Sequence, residues 1–494
     1  MEFSNLFFLL EEATRNYKYK SMLQVVEDGN IKTKSYYDIY ENVTKNGKAL
    51  IESNITEKNV ALIDDFKERW ITCFFSLIYA RNTVVPMDGE LPIKDILACL
   101  YNAECYTVFI SKKFYEKYED EYDKYNDIDF IVYDSPPTET WSCNSKKSQN
   151  WNKDYAMIVY TSGTSGDMKP VALTHKNIMS DVEYCFEIMR ATVTVGDRVL
   201  SVLPPFHMFQ VTAGFLTPIR LGCVICCGDI KYMEKAMITF LPNIMIAVPA
   251  ILEGFGKKVK YLLGNNIVET PLFVFGNELR TIICGGASLS NEVLKEYKKW
   301  NIEVLVGYGM TECSPVIVCN SYGTNKLGSV GCIKNIKHCN IKIVEGEIYI
   351  GGNILFPGYY NGEKTKVFFA TGDLGYIDND DYLYITGRKK NIIVTPGGEN
   401  ISPELIEKKI CESRYIEDAL VELTDNRGIQ ILTARIILSN DSVMGKDLEN
   451  LIWQEIKNIN GELPRYMKIE KIVIEKEFDR TATGKKRRRN NEQI

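Results

Sequence analysis

Ala156-Met157-Ile158-Val159-Tyr160-Thr161-Ser162-Gly163-Thr164-Ser165-Gly166-Asp167-Met168-Lys169 is the stretch on which the reading of this chain turns. Its first five residues are a short continuous apolar run, the pattern of a buried strand. They lead into a loop dense in Gly, Ser and Thr that ends near a lysine, and a long helix is expected to follow. Small residues let backbone N–H groups approach phosphate oxygens, hydroxyls donate further bonds, and the ammonium neutralises charge. The loop is not a Walker loop. That pattern needs four residues between its glycines and then Lys-Ser/Thr, whereas here two residues separate Gly163 from Gly166 and Pro170 follows Lys169. On composition alone, a solvated Gly/Ser turn fits as well as a phosphate site.

Upstream, the runs Val60-Ala61-Leu62-Ile63-Asp64, Thr83-Val84-Val85-Pro86, Thr107-Val108-Phe109-Ile110 and Phe130-Ile131-Val132-Tyr133 read as buried strands. Between them, 70–79 and 93–101 have helical spacing. Strand and helix alternating at this rhythm predict a parallel sheet in an α/β fold. Residues 135–154, rich in Ser, Asn, Lys and Pro, read as a surface loop. Downstream, strands are expected at 199–202, 223–226, 244–248, 281–284 and 303–306. Beyond Gly328 the texture changes to short alternating strands (341–343, 347–350, 382–385), a small β-rich subdomain. The last hundred residues read as a separate α+β module, whose first helix opens at Ser402-Pro403-Glu404 with Pro at the first helical position and a carboxylate in the first turn.

The 494 residues suggest about three domains or large subdomains. At 45% hydrophobic and 25% charged, the composition excludes collagenous, coiled-coil and wholly disordered chains. A net charge of −6 offers no basic field for nucleic acid. The basic run Lys485-Lys486-Arg487-Arg488-Arg489 suggests nucleic-acid contact only weakly, and Arg487 to Arg489 are expected to be solvated surface. Fourteen scattered cysteines are too sparse for a disulfide scaffold, and Cys226-Cys227 has no partner pair at zinc-ligand spacing, so reduced thiols in a cytoplasmic setting are expected. The apolar run Leu6 to Leu10 is too short, and too soon followed by Glu11 and Glu12, for a signal peptide or membrane span. No transmembrane segment is expected, and any membrane contact would be peripheral.

Further motifs follow in order: Ile283-Cys284-Gly285-Gly286-Ala287, Gly307-Tyr308-Gly309-Met310-Thr311-Glu312, Thr371-Gly372-Asp373-Leu374-Gly375-Tyr376, Gly387-Arg388-Lys389-Lys390, Gly397-Gly398-Glu399-Asn400-Ile401-Ser402-Pro403-Glu404 and Arg480-Thr481-Ala482-Thr483-Gly484-Lys485. In this order and spacing the chain, from Ser35 to Lys485, resembles the AMP-forming, adenylate-forming superfamily. Its members include acyl-CoA synthetases, firefly luciferase and the adenylation domains of peptide synthetases. The resemblance implies an α/β fold with a large N-terminal domain of doubly wound, mostly parallel sheets and a small β subdomain (1–386), a hinge (387–390) and a small mobile α+β domain (391–494).

The resemblance also implies roles. Thr161, Ser162, Gly163, Thr164, Ser165, Gly166 and Lys169 form the loop over the β- and γ-phosphates of ATP. Gly285, Gly286 and Ala287 line the adenine and the acyl carboxylate, and Tyr308, followed by Gly309, packs on the adenine ring. Thr311 and Glu312 lie near the α-phosphate, with Thr164 and Glu312 as the Mg²⁺ ligands. Asp373 accepts the ribose hydroxyls, Arg388 assists it, and Lys390 is the hinge. Lys485 is the mobile catalytic lysine, grouped with Thr311, Glu312 and His207. Gly397-Gly398-Glu399-Asn400 faces the thiol channel. His207, in Pro204-Pro205-Phe206-His207-Met208-Phe209, lies in a segment similar to the acyl-pocket gate, although a lone His among apolar residues is usually structural.

This chain departs from the family pattern at Ser165, where Thr is usual, at Met168 and Pro170, where Pro and Gly are common, and before Thr371, where Val367-Phe368-Phe369-Ala370 lacks Asp-Gly-Trp. The expected reaction joins a carboxylic acid to AMP, releases pyrophosphate and transfers the acyl group to the thiol of coenzyme A. Wording such as Val248-Pro249-Ala250-Ile251-Leu252-Glu253 and Arg388-Lys389-Lys390-Asn391-Ile392-Ile393 is similar to long-chain fatty acyl-CoA synthetases. Amino-acid-activating relatives carry an Asp where this chain has His207. An acyl carrier protein, through its phosphopantetheine, is the alternative acceptor, and a nucleotide-binding scaffold the non-enzymatic alternative.

Overall fold

In the computed structural model the strand Tyr155–Ser162 lies inside a seven-stranded sheet. The structure describes residues 5–27, 29–122, 124–133, 148–162, 168–265, 267–268, 270–334, 336–394, 399–413, 415–426, 429–439, 448–479, 486 and 488. The sheet runs Gly358–Tyr359, Met168–Thr174, Tyr155–Ser162, Thr83–Pro86, Asn59–Ile63, Thr107–Ile110, Asp129–Val132, parallel from Tyr155–Ser162 onward. Asn59–Ile63, Thr83–Pro86 and Thr107–Ile110 are buried at every position. Continuous apolar runs, rather than alternation, are what a parallel sheet covered on both faces requires.

One expectation fails just after the glycine-rich loop. Met168–Thr174 is a second strand, antiparallel to Tyr155–Ser162, with Thr161 opposite Lys169 and Ser162 opposite Met168. The helix begins only at His175 (His175–Met189), behind a capping box of Thr174 and Asn177. Pro170 and the β-branched Val171 are poor helix formers, and Val171, Ala172 and Leu173 gain a ladder and full burial as a strand. No helix N-terminus therefore follows the loop directly. Residues 163–167 themselves lie outside the described residues.

A second, eight-stranded sheet runs Val316–Cys319, Glu303–Gly309, Thr281–Cys284, Ile244–Ala247, Arg198–Ser201, Val224–Cys227, Ser21–Glu27, Asn30–Ser35, with its six middle strands parallel. The hairpin Ser21–Glu27/Asn30–Ser35 crosses over to this sheet, pairing Leu23 with Ile225. The two sheets share a core at an aromatic cluster. Phe215, in the π-helix Gln210–Leu216, packs on Phe66, Trp70, Phe74 and Phe75 at centroid distances of 5.3–5.8 Å.

The β-rich segment is a five-stranded sheet in the order Gly331–Cys332, Tyr382–Arg388, Phe368–Ile377, Glu347–Gly352, Cys339–Val344. Its neighbours are all antiparallel. The C-terminal module has a three-stranded sheet (Ile416–Asn426, Ile429–Leu438, Lys471–Glu475) with the helices Pro403–Ile410 and Leu448–Glu462. Its own core includes Ile401, Ile406, Ile436, Ile452 and Ile456. The molecule is thus α/β, with a large N-terminal and a small C-terminal domain.

Arg488 is not the solvated surface expected. The Arg488 side chain, 20% exposed, pairs with Glu407 at 2.7 Å and donates to the Val421 carbonyl at 3.1 Å. Lys486 pairs with Asp418 at 2.8 Å. Glu407 is buried and also accepts the Val421 N–H at 2.7 Å, so a cation is needed to hold its charge there. Arg487 and Arg489 lie outside the described residues. Among the described residues the cysteines are free thiols, no group of three or more His, Cys, Asp or Glu side chains converges as a metal cluster, and no helix is long and apolar enough to cross a membrane.

Candidate active site

Asp373 sits in the strand Phe368–Ile377 directly opposite Arg388, in register across the ladder. Its carboxylate is only 4% exposed, yet both oxygens are engaged. Arg388 Nε lies 2.8 Å from Oδ1, and the Tyr308 hydroxyl donates to Oδ2 at 2.8 Å. Burial, and then the Asp373 charge, push the Tyr308 hydroxyl well above its ordinary pKa, so it stays a donor. The backbone beneath is fixed from the neighbouring strand Glu347–Gly352. Thr371 Oγ1 donates to the Ile348 carbonyl at 2.8 Å and accepts the Asp373 N–H, while Glu347 Oε1 accepts the Gly372 N–H at 3.2 Å.

Tyr308 also begins the segment that carries Glu312. Gly309 is obligatory here, because a Cβ would fall on the Pro315 carbonyl oxygen, to which Met310 donates its N–H at 2.9 Å. Thr311–Cys313 then form a single 3₁₀ turn. Glu312 is buried and accepts the Tyr359 hydroxyl at 3.1 Å. Burial and Glu312 push that hydroxyl's pKa up. The Lys169 ammonium stands 5.6 Å from the Tyr359 ring centroid, a cation–π contact. Tyr359 therefore links the end of the glycine-rich hairpin to the Glu312 carboxylate.

Gly285, at the end of Thr281–Cys284, faces Phe209, whose ring would lie 3.3 Å from a Cβ at that position. The gate segment is thus brought against the Gly285-Gly286-Ala287 turn. His207 is half-buried and packs on Phe206 at 4.6 Å. The segment continues into the π-helix Gln210–Leu216, a form that recurs at functional sites. The Gln210 amide is fully buried, and neither its oxygen nor its nitrogen has a hydrogen-bond partner.

At the junction of the domains, Lys389 pairs with Glu347 at 2.6 Å, and Asn391 donates to Glu404 at 2.6 Å. Lys390 lies between these anchored neighbours. Burial, followed by repulsion from Arg388, lowers its pKa against the pull of Asp373. Ser402 donates to the Thr386 carbonyl at 2.8 Å and packs where a Cβ of Gly387 would be.

Of the candidates from sequence, the structure groups Tyr308, Asp373 and Arg388; Lys169 and Glu312 through Tyr359; and Gly285 with Phe209. Thr161 lies opposite Lys169 in the hairpin. The Ser162 side chain, Gly163, Thr164, Ser165, Gly166, Gly397, Gly398 and Lys485 lie outside what is described. Sequence reading passed over Glu347, Tyr359 and Gln210. Gly346-Glu347 and Gly358-Tyr359 look like turn and strand wording, and only the fold shows what those side chains meet.

Residues 10–360 match the AMP-binding enzyme family, and residues 390–493 match the AMP-binding enzyme C-terminal domain. The chain belongs to this family. It is 27% identical over 317 residues to the long-chain-fatty-acid–CoA ligase FadD15 of Mycobacterium bovis, 54% of this chain and 52% of that protein. It therefore spans about half the length of that relative. With the 2-succinylbenzoate–CoA ligase of Listeria innocua it shares 25% identity over 466 residues, 92% of this chain and 93% of that one. Among solved structures, the anthranilate CoA ligase AuaEII in complex with anthranoyl-AMP superposes with a TM-score of 0.82 at 18% identity, covering 98% of this chain and 95% of that one. That likeness is one of fold.

Proposed function

We propose that the chain is an acid–thiol ligase that works through an acyl-adenylate. A carboxylate oxygen attacks the α-phosphorus of ATP, the bond to the β-phosphate breaks, and pyrophosphate leaves. The thiol of coenzyme A then attacks the acyl carbon, and AMP leaves. The acid is an apolar, fatty one, in keeping with the long-chain relatives and a gate segment with no acidic residue at 206–209. The free cysteines agree with a reducing, cytoplasmic setting.

The observation that carries this reading is Asp373. A buried carboxylate held by one hydroxyl and one guanidinium, at the edge where the domains meet, is suited to accept a pair of ribose hydroxyls. The shared segment 308–312 connects it to a second centre where Lys169 supplies positive charge for phosphate and Glu312 an oxygen donor. A single buried carboxylate fits Mg²⁺, which Glu312 would hold and which would supply positive charge beside the phosphates. Tyr359 keeps one Glu312 oxygen oriented. Lys485 would hold the carboxylate and the α-phosphate as charge builds between them. The small domain, 391–494, would turn at Lys390 between the two steps, since the residues on either side of it are anchored to different domains.

Gln210 favours a second reading of the substrate. If the acyl group reaches this buried amide, a plain alkyl chain would leave it unpaired, whereas an acid bearing a hydrogen-bonding group would pair with it. One experiment addresses both. A panel of fatty, aromatic and dicarboxylic acids is assayed by ATP–pyrophosphate exchange, then by thioester formation with coenzyme A and with carrier protein. Fatty acids should lead the panel, and coenzyme A should be the better acceptor. His207→Ala should reorder the acids by chain length about threefold or more while leaving the KM for ATP in place. A uniform loss with the ranking kept would make His207 structural.

A further inference from the structure

Glu347 touches both the Asp373 turn and the domain junction. It is 6% exposed, and its two oxygens serve different partners. Oε1 accepts the N–H of Gly372, the residue before the ribose carboxylate, at 3.2 Å. Oε2 takes the ammonium of Lys389, the residue before the pivot, at 2.6 Å. Arg388, the residue before Lys389, is itself held by Asp373. On the far side of Lys390, the Asn391 amide is tied to Glu404 on the small domain's first helix. The chain is thus fastened on both sides of a single residue, and Glu347 makes one of the two fastenings.

We infer that Glu347 is a positioning residue that couples nucleotide seating to the domain turn, an inference that rests on the roles proposed above for Asp373 and Lys390. Through Gly372 it sets where the Asp373 carboxylate meets the ribose. Through Lys389 it confines backbone rotation to Lys390, so that the small domain settles into defined orientations. A buried carboxylate with one hydrogen bond and one ion pair divides its work cleanly, because each partner can be removed alone. Gln at 347 keeps an acceptor for the Gly372 N–H and loses the ion pair. Met at 389 loses the ion pair and leaves the Gly372 contact.

The test measures ATP binding by calorimetry and the two half-reactions separately, as pyrophosphate exchange and as thioester formation from supplied acyl-AMP. Glu347→Ala should weaken ATP binding about fivefold to tenfold, the loss of a hydrogen bond at the turn. Glu347→Gln and Lys389→Met should keep ATP affinity within about twofold. Both should change the ratio of the two half-reaction rates by the same factor, about two- to fivefold. The double variant Glu347→Gln/Lys389→Met should go no further than either single one. Equal loss of both half-reactions in all variants would overturn the inference, as would additive effects in the double variant. Asp373→Ala is the control. If it binds ATP normally, the ribose reading falls and this inference with it; if it loses ATP while Glu347→Ala does not, only the inference falls. Should Glu347→Ala fail to fold, Lys389→Met against Glu347→Gln still decides.

Discussion

Asp373 in the large domain and Glu407 in the small one are both buried carboxylates met by an arginine, 4% and 5% exposed. What separates them is the arginine. The Arg388 side chain is 43% exposed and its partner is otherwise held by a phenol, so a ligand can reach the pair. The Arg488 side chain is 20% exposed, and Glu407 also accepts a backbone N–H from Val421, so the pair is enclosed by its own domain. The same two charges make a candidate site at an edge and a strut in an interior. Burial of the acid alone does not distinguish them; access to its partner does.

The contrast is steepest three residues before Arg488 in the sequence. Lys485 precedes Lys486, which is pinned to Asp418, and on the proposed mechanism it carries the adenylation step. Lys485→Ala should lower pyrophosphate exchange by about 10²–10³, the usual effect of removing one preorganised donor. Thioester formation from synthetic acyl-AMP should survive, and normal pyrophosphate exchange would remove Lys485 from the mechanism. Asp373→Ala comes next: loss of charge-assisted bonds worth roughly 1.5–3 kcal/mol should weaken ATP about tenfold to a hundredfold, with a smaller loss of stability from the stranded Tyr308 hydroxyl. Arg488→Ala should do the reverse. It leaves the buried Glu407 carboxylate only the more distant Lys486 ammonium, at 3.6 Å, and should destabilise the small domain by about 2 kcal/mol, read by denaturant melts, with ATP affinity kept. If Arg488→Ala and Asp373→Ala have the same signature, the distinction between site and strut is lost.

Acid separates the domains more gently. His175 and His338 are held neutral by burial, with pKa values lowered to about 4 from 6.5, and His175 Nδ1 accepts the Leu6 N–H. The unfolded chain takes up these protons and the folded one does not. Stability is therefore full above about pH 6.5 and falls as the pH drops toward 4. At pH 5.5 the loss is on the order of 1 kcal/mol for each histidine. All three histidines of the chain lie in the large domain. Amide exchange compared at pH 7.5 and 5.5 should therefore show the large domain loosening more than the small one. A larger change in the small domain would contradict this.

The parallel strands were legible because burial on both faces leaves no alternation to misread; Thr83–Pro86, Thr107–Ile110 and Thr281–Cys284 stand as the apolar runs predict. Helix starts were legible where Pro and a capping residue coincide, as at Ser402-Pro403. The strand Met168–Thr174 was not, since a seven-residue segment beside a glycine-rich turn gains its ladder only from its partner. Asn30–Ser35, with its largely polar sequence, hides in the same way. At the candidate site, Asp373, Arg388 and Glu312 stand inside recognisable motifs. Glu347 and Tyr359 owe their roles to partners 42 and 47 residues away, and Arg488 meets Glu407 across 81 residues. A motif records which residues recur together, and contacts of that kind leave no local trace.

The crossing of the first hairpin to the far sheet has a consequence for biosynthesis. Leu23 and Gln24 pair with Ile225 and Cys226, about 200 residues later in the chain. At translation rates of roughly 5–20 residues per second, the hairpin waits some 10–40 s for its partner strand to be made. Meanwhile the parallel strands of the other sheet, from Asn59–Ile63 to Tyr155–Ser162, have already emerged and can pair among themselves. Met22, Leu23 and Val25, all buried in the finished molecule, lie on a strand that lacks its Val224–Cys227 neighbour throughout that interval. A ribosome-bound chaperone that covers short apolar segments would find its longest engagement there, and slowing synthesis between residues 36 and 227 would lengthen the wait of that one hairpin.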